Sequence, residues 1–355
     1  MSSLKETTTH GSFIANKKQI IPMKNMESTL AKAEEKGLSN CRSGQFYDDV
    51  VCGLSQTPKF LSSMYFYDAV GDKLFQDLMN CDEYYPTNCE LEIFSEKTAE
   101  ICNAIIGDGD AFDLIELGAG DATKSTYLLK YLLDNGADFS YLPIDISSNV
   151  ISYLNIALPV TLPGLQMTGL NGEYFDMLTK ASTLSDKRKV IMFLGSNIGN
   201  MPVDVAEEFC MNVRNHLSPG DMLLIGVDLK KNPATVLAAY NDKEGITKRF
   251  NLNLLERINR ELDGDFDVTQ FEHYPTYDPE TGACKSYLVS LADQQVNING
   301  MHTINFAKDE YIFMEISQKF TIQQVDDMAR KASFKPVAHF FDGKKWFTDA
   351  IWVAE

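Results

Sequence analysis

Between Phe112 and Leu229 short, densely apolar runs alternate with amphipathic ones, and few patterns narrow a fold more. "FDLIEL" (112–117) has the length and apolar density of a strand buried on both faces. It turns on Gly118-Ala119-Gly120 and becomes a helix-period stretch, "DATKSTYLLKYLLDNG", ending at Gly136. "DFSYLPIDIS", "RKVIMFLGSNIGN" and "SPGDMLLIGVDL" read as further strands, with "SNVISYLNIAL" and "VDVAEEFCMNVRNHL" as helices between them. Such alternation implies a parallel sheet with right-handed crossovers. At the C-terminus "TIQQVDDMARKASF" is an amphipathic helix, with Thr321 and Gln324 at capping-box spacing. It leads into "KPVAHFFDGKKWFTDAIWVA", two apolar strands about an Asp342-Gly343 turn. The fold class is therefore α/β.

The flanking segments differ. Residues 1 to about 40 are polar and weakly patterned and read as a mobile arm with a short helical stretch in "ESTLAKAEEKG". Organised chain begins near "QFYDDVVCGL", and "KLFQDLMN" and "CELEIFSEKTAEICNAII" carry helical spacing. After Leu229 the alternation stops: a helix, "ITKRFNLNLLERINREL", precedes a strand-like "KSYLVSLADQQVNI", which points to a second subdomain. At 355 residues the chain has room for both. Its net charge of -18 argues against a nucleic-acid partner, which needs a basic footprint, and favours a small molecule. The five histidines show no metal-ligand spacing, so no metal is expected. The seven cysteines include no C-x-x-C pair and read as reduced, buried thiols. With no signal-peptide apolar region and no run near ~20 apolar residues, the expectation is a soluble cytoplasmic protein with no membrane partner.

The glycine turn lets a ligand approach the backbone over the carboxyl end of a strand. The dinucleotide fingerprint needs a third glycine where Thr123 stands, and no P-loop motif is present. The next strand ends in Asp145, placed either to accept from two ribose hydroxyls or to cap the following helix. Turn and acid together suit a nucleoside cofactor, and a closing helix and hairpin match the sheet of S-adenosylmethionine-dependent methyltransferases, where an antiparallel last strand joins a parallel set. The N-P-P-[FY] tetrapeptide of base-modifying enzymes is absent. "FLGSNIGN" (193–200) offers amide donors and acceptors beside the expected transfer site, or is a turn rich in Asn and Gly.

"YFYDAVGDKLFQDLMNCDEYYPT", "IELGAGDATKS", "YLPIDIS", "FLGSNIGN", "AAYNDKEGITKRFNLNLLERINREL" and "FMEISQKF" together resemble the histidine Nα-methyltransferases that open ergothioneine biosynthesis. The resemblance runs from about Tyr65 to the C-terminus. It implies a Rossmann-like class I methyltransferase domain over 91–229 and 318–355, and a discontinuous substrate-binding domain over 41–90 and 230–317. Carried over residue by residue, S-adenosylmethionine contacts fall on Gly118, Gly120, Asp145, Glu173 and Tyr174. Tyr67 and Asn200 would orient the amine. Tyr84 and Tyr240 would surround the α-carboxylate and amine, and Glu315 and Ser317 would face the imidazole. Many family members carry Asp-Phe in place of Glu173-Tyr174. Where the family often sets a Met against the imidazole, Ser286 stands here, and Asn197 replaces a common Thr. The resemblance implies a monomer that methylates histidine to its trimethyl betaine. Ser286 keeps open another amino acid or small amine as acceptor, and a cofactor-binding protein without transferase activity is a third reading.

Overall fold

The computed structural model describes residues 46–107 and 109–355, so the arm expected over residues 1–40 lies outside the described residues. In chain order α1 (Phe46–Leu54), β1 (Lys59–Phe60), α2 (Ala69–Met79), α3 (Tyr85–Glu96) and α4 (Thr98–Ile106) come first. The alternating region follows: β2 (Phe112–Leu117), α5 (Ser125–Asp134), β3 (Phe139–Asp145), α6 (Ser148–Thr161) and β4 (Leu170–Asn171). It continues with α7 (Tyr174–Ser182), β5 (Arg188–Phe193), α8 (Val203–Arg214) and β6 (Met222–Asp228). Then come α9 (Pro233–Ala239), α10 (Ile246–Leu262), β7 (Phe271–Tyr277), β8 (Ala283–Ser290), β9 (Gln294–Ile298), β10 (His302–Phe306) and β11 (Tyr311–Gln318). Helix α11 (Ile322–Lys331) and strands β12 (Phe334–Phe341) and β13 (Phe347–Ala354) close the chain.

Seven strands form one sheet in the order β12-β13-β6-β5-β2-β3-β4. The five strands from β6 to β4 run parallel, and β13 pairs antiparallel with β6 and with β12, as the closing hairpin led us to expect. Alternate residues of each strand face opposite layers. Leu114, Val190 and Leu224 pack with Ile93, Ile101, Leu128 and Leu154 on one side. Ile115, Ile191 and Leu223 pack with Leu178, Phe209 and Val325 on the other. All six residues of β2 are buried, which accounts for its unbroken apolar run. The Thr321–Gln324 capping box forms at the start of α11.

The second sheet has the order β1-β11-β8-β7, with β9 and β10 as a separate antiparallel pair. Strand β1 runs parallel to β11, pairing Lys59 with Ile312. Helices α1 and α10 cover this sheet through Val50, Leu54, Phe250, Leu254 and Ile258.

Three local expectations change. Helix α5 starts at Ser125 rather than Asp121, because Ala122 is left-handed (φ 55°) and Asp121 Oδ1 accepts from Thr123 N at 2.9 Å. "KSYLVSLADQQVNI" is two strands, β8 and β9, broken at residues 291–293. The cysteines are free and buried at 81, 89, 102, 210 and 284, but Cys52 is disulfide-bonded, so the reading of seven reduced thiols does not extend to it. Among the described residues no helix is long and apolar enough to cross a membrane, and no group of three or more His, Cys, Asp or Glu could hold a metal ion.

Candidate active site

The glycine turn lies over the carboxyl end of β2. Gly118 and Gly120 both adopt positive φ (71° and 52°), a region that favours glycine. The Gly118 and Ala119 amides donate to Ile144 O at 2.9 and 3.2 Å, tying the turn to the end of β3. Asp145, half-buried at that end, accepts from Gly120 N through Oδ2 (3.3 Å) and from Ser147 N through Oδ1 (2.8 Å). The cap of α6 is Ser147, which accepts from Val150 N, so Asp145 leaves that role to its neighbour and keeps Oδ2 at the glycine turn. A Cβ built on Gly118 would come within 2.8 Å of Tyr174 Oη, whereas above Gly120 the space is open. Tyr174, on the first turn of α7, is wedged against Phe193 and Phe209; burial and then Asp145 push its phenol up to about 12. Glu173 precedes it and is exposed. An open glycine cradle with a carboxylate at one rim and a tyrosine at the other fits a nucleoside whose ribose and base lie along it.

The turn after β5 joins this cradle to the second sheet. Asn197 Nδ2 lies 3.7 Å from the Gly118 Cβ position. Gly199 presses on β11, since a Cβ there would lie 2.7 Å from Gln318 O. Asn200, the last residue of the 3-10 turn Asn197–Asn200, is thereby held exposed beside β11.

An aromatic and polar cluster gathers loop and helix-end tyrosines beside β8 and β11 of the second sheet. Tyr67 follows the 3-10 turn Ser63–Phe66 and packs edge-on against Phe75 and Phe250 at 5.6 and 5.7 Å. Tyr84 meets Tyr240 at 6.2 Å. The Tyr240 hydroxyl donates to Ser317 Oγ at 2.6 Å. Glu315 pairs with Ser286 across β11 and β8, just past a register shift at Phe313, and its Oε1 accepts from the Ser286 hydroxyl at 3.2 Å. Burial raises Glu315 above the usual carboxylate range, against the hydrogen bonds from Ser286 and Asn251. Burial likewise raises Tyr84 and Tyr240; Tyr67, though 48% exposed, is raised by desolvation of its packed side and by Glu315, so all three phenols keep their protons at neutral pH. Glu315 contributes to the Tyr67 shift, which places the two within electrostatic reach.

The structure thus gathers Tyr67, Tyr84, Tyr240, Ser286, Glu315 and Ser317 into one cluster and Gly118, Gly120, Asp145 and Tyr174 into another, with Asn200 on the turn that touches both elements. Several groups at these clusters escape a motif reading. Lys124 is ion-paired with buried Glu90, and Glu90 also accepts from Gly195 N at 2.7 Å. Lys319, Asp228, Lys231 and Tyr85 form a buried network behind Tyr240 and Ser317. Lys319 follows Ser317 and Gln318 in "FMEISQKF", a polar run with no motif spacing to mark it.

Residues 46–354 match a family described as "Histidine-specific methyltransferase, SAM-dependent". The chain belongs to that family. The methyltransferase is 33% identical over 302 residues to the histidine N-alpha-methyltransferase of Mycobacterium tuberculosis (strain CDC 1551 / Oshkosh), covering 85% of this chain and 90% of the relative. It is 30% identical over 297 residues to ergothioneine biosynthesis protein 1 of Neurospora crassa, covering 81% of this chain and 32% of that longer protein. Among solved structures, a S-adenosylmethionine-dependent methyltransferase from Clostridium acetobutylicum ATCC 824 aligns with a TM-score of 0.41 and 13% identity, over 80% of this chain and 96% of that one. The enzyme is a methyltransferase and its cofactor is S-adenosylmethionine.

Proposed function

We propose that this methyltransferase transfers methyl groups to the α-amino group of L-histidine, in succession, to give the trimethyl betaine that begins ergothioneine biosynthesis. The observation that carries the substrate is the pair Glu315 and Ser317, which share one face of β11 at the end of the aromatic cluster. A carboxylate and a hydroxyl there match the two nitrogens of an imidazole and discriminate against side chains that leave them unpaired. Tyr84 and Tyr240 take the α-carboxylate and amine end. Gly118, Gly120 and Asp145 hold the cofactor's amino-acid and ribose portions, with Glu173 and Tyr174 at the adenine.

S-adenosylmethionine, when bound, would supply a sulfonium methyl group whose carbon a neutral amine can attack in line, the neutral thioether being the leaving group. The protein's part is to align the amine and let it shed a proton, since an α-amino group is largely protonated at neutral pH. Tyr67 and Asn200 orient the amine lone pair. Because Tyr67 is half-exposed and keeps its proton at neutral pH, its hydroxyl serves as a relay to water and not as a phenolate base. In this reading residues 41–90 and 230–317 form the substrate-binding unit, and 91–229 with 318–355 the cofactor-binding unit. The enzyme works as a cytoplasmic monomer on a free amino acid.

The test is methyl transfer from labelled S-adenosylmethionine to each of the twenty free amino acids, followed by mass spectrometry. Trimethylated histidine as the sole product supports the reading. Transfer to a different amino acid moves the substrate and implicates Ser286. No transfer to any of them turns attention to other amines, and then to a binding role.

A further inference from the structure

Lys319 has no part in the reading above, yet it is among the most buried charges in the molecule. Its side chain is 1% exposed. All three ammonium hydrogens have acceptors: Asp228 Oδ2 at 2.7 Å, Tyr240 Oη at 2.8 Å and Ser317 Oγ at 2.8 Å. Asp228, at the end of β6, is fully buried and is held in turn by Lys231 and by the Tyr85 hydroxyl at 2.8 Å. Burial alone would raise its carboxyl, but Lys319 and Lys231 outweigh that and hold it below the usual range. The anion is therefore fixed, and it fixes Lys319.

The hydrogen count then determines what Ser317 can do. An ammonium only donates, so Tyr240 Oη and Ser317 Oγ must both accept from Lys319. Tyr240 spends its single hydrogen on Ser317 Oγ. Ser317 Oγ now has both lone pairs filled, and its own hydrogen is the one left over. Two residues earlier on the same strand face, Glu315 can only accept when ionised.

We propose that Lys319, anchored by Asp228 and acting together with Tyr240, is a positioning residue that makes Ser317 an obligate donor to the substrate side chain. The site then demands one N–H, opposite Glu315, and one bare ring nitrogen, opposite Ser317. Neutral imidazole supplies both. A pyrrole ring lacks the bare nitrogen, and an imidazolium ring has it capped by a proton. The inference rests on histidine being the substrate.

The experiment measures kcat and KM for histidine and for an isostere whose bare ring nitrogen is replaced by C–H. The proteins are the unmodified enzyme, Lys319→Met, Ser317→Ala and the double variant. The unmodified enzyme should prefer histidine by roughly a hundredfold or more, because the isostere leaves a buried donor unpaired. Lys319→Met should cut that preference to within about tenfold, mainly through a higher KM for histidine, since Ser317 can then turn its hydrogen toward Tyr240. The double variant should discriminate no worse than Ser317→Ala, as expected for residues that act in series. Retention of the full preference in Lys319→Met, or an equal fall in kcat for both substrates, overturns the proposal. Calorimetric binding of S-adenosylmethionine checks the fold of each variant. If Lys319→Met fails that check, Lys319→Gln carries the test: its amide oxygen can accept the Ser317 hydrogen, and an undiminished preference there overturns the proposal equally. Absence of histidine methylation by the unmodified enzyme defeats the substrate reading instead, and is seen before any variant is made.

Discussion

Glu315 shows how much one side chain depends on what surrounds it. On a solvent-facing strand it would be an ordinary acid; here it is raised by burial and takes a hydrogen bond from Ser286. Glu315→Ala should lower kcat/KM for histidine by about a hundredfold or more, while S-adenosylmethionine binds as before. Steady-state kinetics alongside calorimetry decide it, and unaltered kcat/KM would remove Glu315 from the substrate pocket. Tyr67 and Asn200 are argued to align the amine. Tyr67→Phe and Asn200→Ala should each slow transfer at saturating histidine by roughly ten- to a hundredfold. Wild-type rates in both single-turnover assays would leave the amine without its proposed partners. Glu116 makes a different point. Burial pushes it up to about 7, even though the Ser125 and Tyr141 hydroxyls donate to it.

Among the elements, the turn after β5 touches both sheets, through β6 of the first and β11 of the second. Gly199 has no room for a side chain, and the obstacle is the β11 backbone at Gln318, which cannot swing aside. Gly199→Ala should destabilise the fold by about 1–3 kcal/mol and raise KM for histidine more than it weakens the cofactor. Urea titration and substrate kinetics test both halves, and an unchanged KM would separate this turn from the substrate side. The same turn marks the limit of what the sequence displays. Strands β2, β3, β5 and β6 and their helices were legible because burial on both faces writes an apolar run and amphipathic helices write a 3.6-residue period. The capping box at Thr321 and the hairpin at Asp342 were legible from local chemistry. Strands β4, β7 and β10 were not, being short or exposed on one face with weak alternation. Gly118, Gly120 and Asp145 could be read from a strand–turn–helix pattern alone. Tyr67, Tyr240 and Glu315 lie on elements far apart in the chain, and nothing local marks their convergence; the family signatures supplied them. Lys319 and Asp228 were missed because their partners are also distant in sequence and no motif spacing joins them.

At the scale of the whole molecule, buried charge makes stability depend on pH in two opposed ways. Glu116 binds its proton more tightly when folded than when unfolded. Between its ordinary pKa of 4.5 and about 7 the folded state therefore holds a proton that the unfolded state has lost, and stability falls as pH rises through that window. The loss is on the order of 1–3 kcal/mol, and Glu116→Gln should flatten it. Denaturant melts from pH 5 to pH 8 read the slope directly; an equal slope in the variant would show that Glu116 is not its source. Asp228 acts the other way. Its lowered pKa contributes stability that is complete above 3.8 and disappears only in stronger acid.

The pairing of β1 with β11, and of β6 with β13, also sets a timetable for synthesis. The ribosome makes β1 early, but its partner emerges only after every parallel strand of the larger sheet has been translated. Strand β6 gains its antiparallel partner at a later point still, when residues 347–354 have been made. Until then the nascent protein carries an open, apolar sheet edge, the kind of surface that recruits chaperones or neighbouring chains. Both sheets that carry the candidate site are therefore completed almost together, once residues 311–354 have been made. Removing residues 347–355 would not trim a tail; it would leave the cofactor sheet permanently in its half-made state.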